Sequence, residues 1–174
     1  MRVFAMLAMV CSLCVAHAEE AEKPAVALVA HIKKVASGEA PVNEMICSVS
    51  PPHDLSVGSE VVMNDLLFGN TFELHGVKNS APNVKEMFTK KTDLTDEQVR
   101  VLFGVFAKCT FFEGVGNLER LGTPKTTAKI MVTHVTAANV KLSGHVLLNL
   151  EKKDDAKLAN EIDVLLKKYE ALTK

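Results

Sequence analysis

Two neighbouring stretches, Thr126 to Thr136 and Val140 to Leu150, alternate in side-chain character and are joined by Ala137-Ala138-Asn139. Successive side chains of a strand point to opposite faces, so Ile130, Val132, His134 and Thr136 share one side while Met131, Thr133 and Val135 share the other. This predicts a hairpin, and a lone hairpin is at best marginally stable in water. The chain must therefore supply further strands or a cover. A cover follows at once: from Asp154 to Leu172, the residues Leu158, Ile162, Leu165, Leu166, Tyr169 and Leu172 form one helical stripe. Asp154 and Asp155 stand at its positive end and Lys167 and Lys168 near its negative one, as the helix dipole favours. An antiparallel sheet packed against helices, with this long amphipathic C-terminal helix, buries all of these faces together. The expected class is α+β.

Other elements fit the same plan. A first helix is expected from about Pro24 to Ser37, with Leu28, Ile32 and Val35 on one face and Gly38 as its stop. Thr95-Asp96-Glu97-Gln98 is a capping box that opens a second helix carrying Val99, Leu102, Phe103 and Phe106. Gly69-Asn70 between apolar runs predicts a hairpin turn inside residues 59 to 77. Residues 83 to 91 read as a short helix, and residues 39 to 58 as a loop or edge segment pinned by Cys47. In the second hairpin, a turn near Ala138 would let His134 and His145 face each other.

Residues 1 to 18 hold fifteen apolar residues, one Arg and no carboxylate, and end in the small-x-small site Ala16-His17-Ala18. The apolar run of about thirteen residues spans roughly 20 Å as a helix, short of a bilayer core of roughly 30 Å. It reads as a signal peptide cleaved before Glu19, leaving a single globular domain over 19 to 174. Secretion to the extracellular space is the expectation, with a periplasm as the alternative. Cys11 and Cys14 depart with the leader, which leaves Cys47 and Cys109 in an oxidising compartment. They are expected to form one disulfide, closing a loop of about 60 residues worth about 3 to 4.7 kcal/mol.

The residues remaining after residue 18 carry 19 Lys and Arg against 21 Asp and Glu, with no Trp and one Tyr. That balance excludes a domain-wide cationic footprint for nucleic acid and gives little material for base stacking. No nucleophile elbow, phosphate loop or calcium loop is present in the sequence, so no catalytic residue, cofactor or metal ligand is nominated. The first functional reading is a non-enzymatic protein-interaction module. Its contact loops would be Pro51, Pro52, His53 and Asp54, together with Gly114, Gly116 and Asn117. The alternative is a carrier of a small apolar ligand between sheet and helices, with Phe88, Phe103, Phe106, Phe111 and Phe112 lining the pocket.

Overall fold

In the hairpin formed by β5 (Thr127–Val135) and β6 (Lys141–Asn149), Thr127 opposes Asn149 and Val135 opposes Lys141 without a bulge. The computed structural model describes residues 25–51, 60–81, 84–113, 127–135 and 141–173. Four further strands complete the sheet: β1 (Met45–Ser50), β2 (Glu60–Phe68), β3 (Thr71–Ala81) and β4 (Val84–Asp93). The spatial order is β4-β3-β2-β1-β5-β6, and every neighbouring pair is antiparallel. Among the described residues, the helices α1 (Val26–Ser37), α2 (Asp96–Phe106) and α3 (Lys153–Glu170) accompany the sheet in an α+β fold.

Two expectations are corrected. The segment around Cys47 is no loop or edge: β1 lies inside the sheet between β2 and β5, with Met45, Cys47 and Val49 buried. Six residues before a proline are too few for alternation to stand out, yet they pair on both sides. The short helix expected over residues 83 to 91 is not found: residues 84 to 91 are strand, since β4 pairs with β3 along its length. Its Phe88 is half-buried while Met87, Lys90 and Lys91 are exposed, a charged edge of the kind that discourages pairing with other chains. The expected turn at Gly69-Asn70 does join β2 to β3, and Gly69 takes a positive φ of 58° there.

The helices are held by the features that announced them. Thr95 Oγ1 accepts from the Gln98 amide at 3.3 Å, and Gln98 Oε1 accepts from the Thr95 amide at 2.7 Å. That capping box starts α2, which buries Val99, Leu102, Phe103, Val105 and Phe106. The Tyr169 hydroxyl of α3 donates to the Gln98 carbonyl at 2.7 Å, and its ring meets Phe72 edge-on at 5.8 Å. One side chain thus ties α3 to both α2 and the sheet. At the other end of α3, Asp155 accepts the Asn149 amide at 3.0 Å and fixes the turn out of β6. Among the described residues, no helix is long and apolar enough to cross a membrane.

The buried sheet face carries Leu67, Phe72, Leu74, Ile130, Val132 and Leu148. The opposite face leaves Ile46, Phe68 and Met131 between 36% and 46% exposed. Gly144 lies on the buried side, opposite Val132, where α1 comes closest. A Cβ there would sit 2.8 Å from Leu28 Cδ2 and 3.1 Å from Ala25 Cβ. Gly144→Ala should therefore destabilise the fold by about 1 to 3 kcal/mol through overpacking. Urea unfolding of parent and variant measures this directly, and an unchanged midpoint would show that α1 yields freely.

Candidate functional site

The α3 helix turns Ala156, Ala159, Ile162 and Leu166 toward a cavity, and small side chains there leave space that larger ones would fill. Ala128 on β5 adds a third small residue, beside Val49, Ile130 and Leu148 of the sheet. Together they bound a cavity of about 440 Å³. This is within the range of small-molecule sites, which are mostly apolar with a few placed polar groups. The polar groups here are Asp65, Asn160, Asp163, Lys167 and Glu170.

Asp65 is the unusual one. It opposes Val49 on β1 and Leu74 on β3, both buried, so strand alternation directs it toward the helices, where it is only 6% exposed. Burial pushes its carboxyl up to about 7, and the charges of Glu170 and Asp163 add to the effect. Lys167 Nζ lies 2.8 Å from Asp163, so the one lysine of the cavity is already engaged. Among the described lining residues three carboxyl groups accompany one lysine, a balance that suits a cation.

A second polar cluster lies toward the other end of the same sheet face. His134 on β5 opposes Met45 and is buried, and its Nε2 is 3.0 Å from Glu44 Oε2. The Glu44 carbonyl accepts from the Val135 amide at 2.9 Å, which anchors the start of β1 to the end of β5. His31, on α1 between the buried Leu28 and Ile32, stacks on His134 with ring centroids 3.5 Å apart and planes 14° from parallel. Burial, and then the neighbouring His134, hold His31 below the usual histidine range. His31 Nε2 and His134 Nδ1 are both shielded from solvent and without a hydrogen-bond partner. Each such atom costs about 1 to 3 kcal/mol when left unpaired.

Several sequence expectations meet different surroundings. Phe103, Phe106 and Phe111 are fully buried core residues, Phe88 is half-buried on the edge strand, and Phe112 is partly exposed beside His145. None of the five lines the cavity. Pro51 does line it, whereas Pro52, His53, Asp54, Gly114, Gly116 and Asn117 lie outside the described residues. The expected Cys47–Cys109 disulfide is absent, and both residues are buried free thiols. Cys47 faces the helix layer from mid-sheet between Leu67 and Val132, while Cys109 lies beyond α2 with its Sγ turned back 3.9 Å from the Val105 carbonyl. Burial pushes these thiols up to about 12 and about 11, so both are protonated at neutral pH and poorly suited to nucleophilic chemistry.

His134 and His145 do not face each other either. His134 pairs with Leu142, and His145 pairs with Met131 on the opposite face. Sequence reasoning missed Asp65 and the His31–His134 pair. The available signal was a polar residue in the parity of apolar ones: Met63 and Leu67 flank Asp65, and Val132 precedes His134.

The Asp65 shift fixes a direction for stability. Its folded pKa of about 7 exceeds the ordinary 3.8, so between these values the folded chain keeps a proton that the unfolded chain releases. This part of the stability is full below pH 4 and is lost as pH rises toward and through 7. Thermal unfolding should show the midpoint falling from pH 5 to pH 8, with a smaller fall in Asp65→Asn. A variant whose pH profile overlays the parent would refute the assignment.

Comparisons with protein-family models, curated proteins and solved structures find no match for this chain.

Proposed function

We propose that this protein is a non-enzymatic carrier of a small, mainly apolar molecule with a cationic end, held between the sheet and α3. The observation that carries this reading is the cavity of about 440 Å³ with the buried Asp65 carboxyl among its lining groups. The apolar walls would take the body of the ligand by the hydrophobic effect, at roughly 25 cal/mol for each Å² removed from water. Asp65, with Asp163 and Glu170 nearby, would take an ammonium group. A cation at that point lowers the penalty of ionising Asp65, so binding and deprotonation reinforce each other. Were residues 1 to 18 cleaved as the expected signal peptide, export would place the ligand outside the cytoplasm.

A second reading, a surface for a protein partner, has the exposed Ile46, Phe68 and Met131 in its favour. Of the loop residues expected to make such contacts, Pro51 lines the cavity and the others lie outside the described residues.

Calorimetric titration with a medium-chain alkylamine, and with the fatty acid of equal length, tests the carrier. The amine should bind at least tenfold more tightly than the acid at pH 8, and its affinity should rise between pH 6 and pH 8. Ala159→Leu, which fills the cavity from α3, should weaken amine binding at least tenfold while the circular dichroism spectrum is kept. Equal binding by parent and filled variant would overturn the reading.

A further inference from the structure

His31 Nε2 and His134 Nδ1 are buried with no hydrogen-bond partner among the described residues, and Glu44 stands 3.0 Å from the other nitrogen of His134, so a carboxylate and two imidazoles meet at one point. Glu44, paired with His134 Nε2, brings a negative charge to the two imidazoles, which a divalent cation would meet together with their lone pairs. One ligand atom each from His31, Glu44 and His134 lies within 4.8 Å of the other two. Around a tetrahedral ion with bonds of 2.0 to 2.1 Å, ligand atoms stand about 3.3 Å apart. The cluster would close by about 1.5 Å at most, within the reach of a side-chain rotation.

We propose that His31, His134 and Glu44 form a site for a zinc-type divalent cation, joining α1 to the paired start of β1 and end of β5. Two imidazoles are borderline ligands that, with one carboxylate, suit zinc and neighbouring first-row ions better than calcium or magnesium, which take oxygen-rich shells. Three anchoring elements make the site a clasp: α1 supplies His31, the turn before β1 supplies Glu44, and β5 supplies His134. Glu44 is 36% exposed, which gives an ion a route in and leaves a coordination position for water. The site is independent of the cavity. His134 stands four residues from Ile130 along β5, roughly 14 Å at the rise of a strand.

The test uses the full protein after treatment with a chelator, titrated with zinc chloride in a calorimeter and followed by thermal unfolding. Binding of one zinc per chain with a raised unfolding midpoint is expected, and magnesium should produce neither. Because His134 is buried, the variants are His31→Gln and Glu44→Gln, at half-buried positions, with folding checked by circular dichroism. Each should weaken zinc binding at least tenfold, and visible absorption of the cobalt-loaded chain should be lost in both. Absence of stoichiometric zinc binding would overturn the proposal. So would unchanged affinity in the two variants, which would assign the ion to other histidines such as His75 or His145.

Discussion

Alternation across paired strands is the constraint on which the rest of this structure depends. Once β1, β2 and β5 pair in register, each residue has a fixed side, and a slip of one position would send every buried side chain to the other face. The register puts Met45, Cys47, Val49, Leu67, Ile130 and Val132 beneath the helices. It also puts Asp65 and His134 there. Among the described residues these two are the buried polar side chains, and each marks one of the two sites. Asp65 stands at a cavity and His134 at an imidazole pair, so the same parity that builds the core imposes both polar burials.

The helix layer decides what each buried polar residue meets. Over β1 and β5 near Val49 and Ala128, α3 presents alanines, and the missing volume becomes a cavity. Nearer the α1 side, Leu28 and Ile32 are packed close to the sheet, and Gly144 has no room for a Cβ. There His134 meets a ring and a carboxylate. Tight packing at one end and loose packing at the other arise from side-chain size under helices of similar amphipathic character. Tyr169 secures the loose end, since its hydroxyl reaches α2 while its ring rests against Phe72.

Much of the framework is legible in the sequence because it rests on local signals. The capping box at Thr95, the stop at Gly38, the turn at Gly69-Asn70 and the stripe of α3 each need only neighbouring residues to form. Two strands were illegible for opposite reasons. β1 is short and ends at prolines, so its alternation is brief, and β4 is an edge with so few packed side chains that Phe88 hardly sets a period. Phe103, Phe106 and Phe111 fill the core, and none of the five phenylalanines named from the sequence borders this cavity. Cavities come from small residues, and Ala128, Ala156 and Ala159 draw no notice in a sequence. His31 finds His134 only through tertiary packing across more than one hundred residues of chain, which no local pattern reports.

The central claim is that the buried carboxyl of Asp65 serves the cavity. Carbon-13 labelling of aspartate side chains, with NMR titration against pH, measures that carboxyl alone. In the free protein, Asp65 should titrate near 7, and saturation with an alkylamine should move the midpoint down by a unit or more. A midpoint near the ordinary 3.8, or one that the amine leaves in place, would contradict the account.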